Sequence, residues 1–257
     1  MRILALGDVV GEVSVAYLKR QLGAVCRRES IDFTVVNGEN ASEIRGLCAH
    51  DAEELLNAGA DLITLGNHAF GKRDLYPFLD DFPDRIIRPA NYPASAPGCG
   101  YTIASVGGWR LLCINICGRA FLDPLADPFA TVEQILVRES GNYDVSLMDI
   151  HAEATSEKLA LGLYFDGRIQ ILFGTHTHVA TADERVLPHG SGYITDLGMC
   201  GPQNGILGTD AEAVISRFRT MMPTRFPVAS GAVCAEGAVF DLDEHSARVR
   251  SVRRIRF

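Results

Sequence analysis

An α/β fold of parallel strands and crossover helices is predicted for this 257-residue chain by three observations. Short apolar runs alternate with amphipathic helical stretches, in the β-α-β-α-β order that places strands parallel. No linker-like tract interrupts the alternation, so residues 1–257 read as a single domain. Five of the runs end in a side chain able to bind a metal or move a proton: Gly7-Asp8, Gly38-Glu39-Asn40, Gly66-Asn67-His68, Asp149-Ile150-His151 and Gly174-Thr175-His176-Thr177-His178. In open α/β sheets the ligand site lies beyond the carboxyl ends of the strands, so these five ends are expected to share one crevice. Four of them carry a glycine just before the first such residue, where the backbone is expected to leave the sheet sharply.

The elements follow in order. Leu4–Leu6 is a strand, and Val13–Arg28, with apolar residues at helical spacing, is a helix. Phe33–Val36 is the second strand; Asp51–Ala58 is a helix with acid in its first turn, ended by Gly59. Leu62–Leu65 is the third strand, followed by a short helix at Asp74–Leu79, a strand-like Arg85–Arg88 and a loop carrying Pro89, Pro93 and Pro97. Tyr101–Val106 and Trp109–Ile116 form a hairpin across Gly107-Gly108. After the loop Gly118–Phe129 comes a helix at Thr131–Glu139, then the strand into His151. Thr155–Phe165 is helical with Thr155 or Ser156 as cap, and Ile169–Phe173 is the strand before the glycine turn. Two strand-like runs, Arg185–Leu187 and Gly192–Thr195, precede a turn-rich segment from Asp196 to Pro202 that holds Cys200 beside the crevice. Ala211–Met221 is the last helix, and Ala232–Phe240 with Ala247–Ile255 is an antiparallel pair around Asp241-Leu242-Asp243-Glu244.

Composition narrows the function. Hydrophobic residues make up 47% of the chain, ample for a core, and the net charge of −8 argues against stable binding to DNA or other nucleic acid, which calls for a basic face. The C-terminal arginines 248, 250, 253, 254 and 256 read as the charged solvent face of an edge strand. Small anionic substrates remain compatible if bound cations reverse the field locally. No apolar segment spans a bilayer, and a strand starts almost directly after Met1, which leaves no room for a signal peptide; the expected location is the cytoplasm. Seven cysteines, with no C-x-x-C pair, fit free thiols in a reducing compartment. The subunit count, homo-oligomers included, is left open.

Asp8, Glu39, Asn40, Asn67, His151, His176 and His178 offer more ligands than one transition metal needs, so the set suits two ions. A bridging carboxylate can hold such a pair roughly 3.5–4 Å apart, the spacing that activates water and clamps a phosphoryl group. Imidazole and oxygen ligands without thiolate point to iron or manganese, with zinc as the third candidate. His50, His189 and His245 lie in turn or cap sequence and are read as no part of the site. Asp149 and Glu153 are expected to orient His151, and Asp183 the histidine pair. Arg88, Asn91 and Tyr92 read equally well as connective structure and as the lining of a substrate pocket.

These motifs, with Arg88-Pro89-Ala90-Asn91-Tyr92-Pro93 and the segment from Asp149 to Lys158, resemble those of the YmdB-like bacterial metallophosphoesterases, 2′,3′-cyclic-nucleotide 2′-phosphodiesterases of the calcineurin-like superfamily. The resemblance covers nearly the whole chain and implies a β-sandwich of mixed sheets flanked by helices. It further implies that Asp8, Glu39, Asn40 and His178 hold one metal, that Glu39, Asn67, His151 and His176 hold the other, and that Glu39 bridges them. By the same resemblance His68 faces substrate as a general acid, a metal-bridging hydroxide is the nucleophile, and small 2′,3′-cyclic nucleotides are opened to 3′-nucleotides. Val10 and Glu39 stand where the wider superfamily has histidine and aspartate, a departure that agrees with this branch; Ser42 to Arg45 and Gln203-Asn204-Gly205 depart from the branch itself, at the substrate rim. Two other readings use the same residues: a phosphomonoesterase or phosphoprotein phosphatase, and a metal-bearing regulatory or RNA-associated scaffold. His68 speaks against the scaffold, which needs no proton donor.

Overall fold

Strands whose successive side chains are all apolar need two buried faces, and the computed structural model, which describes residues 1–243 and 245–257, supplies them with four layers, helix on sheet on sheet on helix. The strands are β1 (Arg2–Leu6), β2 (Asp8–Val9), β3 (Phe33–Asn37), β4 (Leu62–Thr64), β5 (Ile86–Ile87), β6 (Tyr101–Val106), β7 (Trp109–Cys117), β8 (Val145–His151), β9 (Ile171–Thr175), β10 (Arg185–Val186), β11 (Gly192–Ile194), β12 (Met199–Pro202), β13 (Val233–Leu242) and β14 (Val249–Arg256). The helices are α1 (Glu12–Glu29), α2 (Ala49–Asn57), α3 (Leu75–Asp81), α4 (Pro128–Arg138), α5 (Thr155–Tyr164) and α6 (Ala211–Thr220).

Among the described residues the strands form two mixed sheets. One runs β2-β12-β13-β1-β3-β4-β5 with β14 beside β13; the other runs β10-β11-β9-β8-β7-β6. β1, β3, β4 and β5 are mutually parallel, as are β7, β8, β9 and β11. Side chains alternate across each strand. Ile3 and Ala5 of β1 meet Leu147 of β8 and Ile171 and Phe173 of β9 between the sheets, whereas Leu4 and Leu6 turn outward to Leu18 and Leu22 of α1. On the far side Leu112, Ile114, Met148 and Leu172 pack on Val132 and Ile135 of α4 and Leu161 of α5.

The five strand exits therefore come from two sheets, β1, β3 and β4 on one and β8 and β9 on the other, and not from the single open sheet that the crevice rule describes. They meet because the inner faces pack with their carboxyl ends at the same edge. Three further expectations change. The segment holding Cys200 is a strand, β12, in parallel register with Asp8 and Val9, and Cys200 is fully buried. α4 starts three residues earlier than periodicity alone places it, because Asp127 caps Phe129 and Ala130 and Pro128 needs no donor at the first position. α5 has no side-chain cap from Thr155 or Ser156; Glu157 instead accepts from the amides of Arg119 and Ala120 in the neighbouring loop. The seven cysteines are free. The predicted C-terminal pair is present as β13 and β14, and Glu244 of its turn lies outside the described residues.

Phe240, fully buried on β13, reaches across the sandwich to Phe173, with ring centroids 6.3 Å apart. Phe240→Ala should remove about 3–5 kcal/mol of stability, measured as the drop in unfolding free energy in urea. A loss below 1 kcal/mol would show that the two sheets do not depend on this contact.

Candidate metal centre

The carboxyl edge of the sandwich gathers all seven expected ligands and His68. Around His151 Nε2 stand Asn67 Oδ1 at 3.1 Å, Glu39 Oε1 at 3.2 Å and His176 Nδ1 at 3.0 Å. Around His178 Nε2 stand Asn40 Nδ2 at 3.2 Å and Asp8 Oδ1 at 3.7 Å. Glu39 Oε1 also accepts from Asn40 Nδ2 at 2.9 Å, so its carboxylate touches both groups. Asp8, Glu39 and His151 are fully buried.

Hydrogen bonds around the rim decide which nitrogen of each imidazole carries the proton. His178 Nδ1 lies 3.1 Å from the Leu207 carbonyl, which can only accept. His176 Nε2 lies 3.0 Å from a Glu153 carboxylate oxygen. The His151 case runs through Thr175: its single hydroxyl proton goes to Asp149 Oδ1 at 2.7 Å, so the hydroxyl oxygen accepts from His151 Nδ1 at 2.8 Å. Asp149 is held in place by donors from Thr64 and Asn37. Each imidazole thus spends one N–H outward and turns its other ring nitrogen inward.

The interior so formed is rich in acceptors. Asp8 Oδ1 is buried with no hydrogen-bond partner among the described residues, and His151 Nε2 and His176 Nδ1 face each other 3.0 Å apart, where either a proton held on His151 or a cation must lie between them. Burial disfavours a charged His151, yet Glu39 and Asp8 raise it to about 9; burial, reinforced by His151, lowers His176 to about 3. Burial pushes the Asp8 carboxyl up against the pull of His178 and His151. Surplus negative charge that holds a proton on a buried imidazole would also attract a metal cation, and imidazole with carboxylate and the Asn67 amide oxygen is a transition-metal donor set; Asn40 turns Nδ2 inward and would offer its oxygen with the amide reversed. The residues fit such an ion.

Close approach explains the glycines. None of Gly7, Gly38, Gly66 and Gly174 has positive φ, contrary to the expected sharp turns. A Cβ on Gly66 would lie 2.3 Å from both Glu39 Oε2 and His151 Nε2, and one on Gly7 would lie 2.1 Å from the Gly198 carbonyl. β9 runs straight through Gly174 to Thr175. The left-handed residues are the ligands themselves, His176 at φ 98° and His178 at φ 62°, a strain of order 1–3 kcal/mol each.

Several supporting roles differ from expectation. Glu153 faces His176 and not His151. Asp149 acts on His151 through Thr175. Asp183 bonds Thr181 and Thr195, and the carboxylate that grips the histidine turn is Asp196, through the amide and hydroxyl of Thr177. Asp196 is paired in turn with buried Lys158. A signal for Lys158 existed: it lies on the helical stripe of Leu161 and Gly162 that α5 buries. Arg88 gives its guanidinium to the carbonyls of Pro97, Pro89 and Ala96, and Asn91 bonds the backbone of Cys117 and Ala126. Both are buried, and buried polar groups must be satisfied locally, so neither aims a polar atom at the cluster; Tyr92 does reach it, its hydroxyl donating to the Asn67 carbonyl at 3.4 Å.

Fold and ligand cluster together define a metallophosphoesterase of the calcineurin-like fold. The same fold is seen in the NAD nucleotidase of Haemophilus influenzae, with a TM-score of 0.61 at 14% identity over 100% of this chain and 55% of that one, a likeness of architecture alone. Within the class the chain belongs to the YmdB-like family: the model for "YmdB-like protein" matches residues 4–255. It is 45% identical over 255 residues to the 2′,3′-cyclic-nucleotide 2′-phosphodiesterase of Bacillus subtilis, spanning 99% of this chain and 96% of that protein. A solved phosphatase structure from Mycoplasma pneumoniae superposes with a TM-score of 0.93 at 32% identity, covering 100% of this chain and 93% of that one. The chain is therefore an enzyme, and its class implies divalent metal ions. No helix among the described residues is long and apolar enough to cross a membrane.

Thr175→Val should cost about 10–100-fold in metal affinity, the usual effect of losing a hydrogen-bond partner behind a ligand, while Thr175→Ser, which keeps the hydroxyl, should bind as wild type. The check is competition with a chelator of known affinity; equal affinity for the valine and serine variants would remove the relay from the site.

Proposed function

We propose that the chain hydrolyses small phosphodiesters, with 2′,3′-cyclic nucleotides as the substrate class and 3′-nucleotides as the product. The observation that carries this reading is the pairing of a buried, acceptor-rich ligand cluster with one half-exposed imidazole, His68, at its rim; the name of the Bacillus subtilis relative supports the substrate. Asp8, Glu39, Asn40 and His178 would hold one ion and Glu39, Asn67, His151 and His176 a second, of iron or manganese, with zinc third. Bound there, the ions would activate water and offset the phosphoryl charge.

His68 differs in kind from the ligands. Its amide donates to Glu39 Oε2 at 3.0 Å, and its Nδ1 lies 3.1 Å from Asn40 Oδ1, the amide whose Nδ2 faces Glu39 and His178. Nδ1–H is thereby committed, and Nε2 is the atom left to exchange a proton. As the P–O2′ bond breaks and water oxygen bonds to phosphorus, the departing 2′ oxygen takes a proton from Nε2–H of the imidazolium, and the proton lost by water restores it. Tyr92, whose hydroxyl touches the Asn67 carbonyl, is the residue of the expected pocket trio that would meet the rest of the substrate. The acidic chain suits a small substrate better than long RNA.

His68→Ala should keep the fold and the metals, and kcat on a 2′,3′-cyclic nucleotide should fall about 10²–10⁴-fold, with a smaller loss on an aryl phosphodiester whose leaving group needs little protonation. Equal losses on both esters would give His68 another role. Product analysis by chromatography should find the 3′-nucleotide; release of 2′-nucleotide alone, or faster turnover of phosphomonoesters than of any diester, would overturn the substrate assignment.

A further inference from the structure

The turn that carries His176 and His178 is strained at both ligands, and what holds it is remote from the metal cluster. Asp196 fills its acceptor sites with four donors: Lys158 Nζ at 2.6 Å, Thr177 Oγ1 at 2.7 Å and Thr177 N at 3.2 Å on Oδ2, and Gly198 N at 2.9 Å on Oδ1. The Gly198 carbonyl then accepts from the Asp8 amide at 3.2 Å, and Asp8 Oδ2 accepts from the His176 amide at 3.0 Å. One carboxylate thus ties the residue between two histidines to the backbone of the opposing acidic ligand. Both partners of the ion pair have side chains only 1% exposed.

A buried ion pair is weak evidence for stability, since apolar residues of similar volume do as well or better, whereas removing one partner strands a charge. The placement of this pair points to another use: besides Lys158, Asp196 takes two donors from Thr177, between His176 and His178, and one from Gly198, whose carbonyl accepts from the Asp8 amide. We infer that Lys158 and Asp196 are positioning residues for the metal centre: Asp196 fixes the Thr177 backbone and hydroxyl, so that His176 and His178 keep left-handed conformations aimed at Asp8 and His151, and Lys158 holds the Asp196 carboxylate in its orientation from α5. The inference rests on reading both histidines as ligands.

The test uses the full chain stripped of metal and titrated with Mn²⁺ by calorimetry, alongside amide hydrogen exchange of segment 175–198 before any metal is added. Lys158→Met with Asp196→Leu removes both charges together and should still unfold cooperatively, yet bind Mn²⁺ about 10–100-fold more weakly, with faster exchange at 176–178. Thr177→Val leaves the ion pair intact, removes one of its four contacts, and should shift both readouts in the same direction by less. A folded double variant with wild-type affinity and wild-type exchange would make the pair structural only. If the double variant does not fold, Thr177→Val decides alone, and unchanged affinity and exchange in it would overturn the inference. A wild-type chain that takes up no Mn²⁺ would instead sink the metal reading, and the exchange of the metal-free protein would still decide whether the clamp holds the turn.

Discussion

An excess of inward-facing acceptors over the protons available to them is the constraint on which the rest of this structure depends. Three imidazoles, two carboxylates and two amide groups meet at one edge of the sandwich, and each imidazole has given its N–H to a group outside the cluster: Thr175, Glu153 or the Leu207 carbonyl. His151 Nε2 and His176 Nδ1 then face each other, and Asp8 Oδ1 has no hydrogen-bond partner among the described residues, while His178 Nε2 meets Asn40 Nδ2. In a buried space such an arrangement is costly unless cations answer it. The hydrogen bonds that set this geometry lie outside the space a cation would fill.

That geometry is rigid because it is distributed over two sheets. Asp8, Glu39 and Asn67 follow β1, β3 and β4, while His151 ends β8 and His176 follows β9. Their separation is set by the packing of Ile3, Ala5 and Val35 against Leu147, Ile171 and Phe173. A core at crystal-like density resists displacement, so the ligands cannot drift apart without disturbing the interior of the whole sandwich. His68 stands apart. Its side chain is 32% exposed, against 0–1% for Asp8, Glu39 and His151, which is the difference expected between a group that must hold still and one that must meet a substrate.

The residues gathered at this edge were legible in the amino-acid order because they lie at or just beyond the ends of apolar runs, and a strand end is where an α/β protein places its chemistry. The four-layer architecture was less so: periodicity shows that β1 and β8 are buried on both faces and says nothing about which sheet each joins, and the resemblance to a family supplied a sandwich of mixed sheets without assigning strands to either. The supporting residues were harder still. Thr175 and Thr177 look alike, yet one relays Asp149 to His151 and the other is gripped by Asp196; a hydroxyl takes its role from tertiary neighbours that no local pattern records. Gly66 was read as a turn residue, and its real constraint is the proximity of Glu39 and His151, both distant in sequence. Arg88 and Asn91 carry polar groups suited to a substrate, but burial commits those groups to loop carbonyls.

The central claim is that this one edge holds two metal ions, one by Asp8, Asn40 and His178, the other by Asn67, His151 and His176, with Glu39 between them. Anomalous diffraction from crystals grown with Mn²⁺ tests it most directly. Two peaks roughly 3.5–4 Å apart, flanking the Glu39 carboxylate, are the predicted result. A single peak, or peaks that leave His178 or Asn67 without an ion, would contradict it.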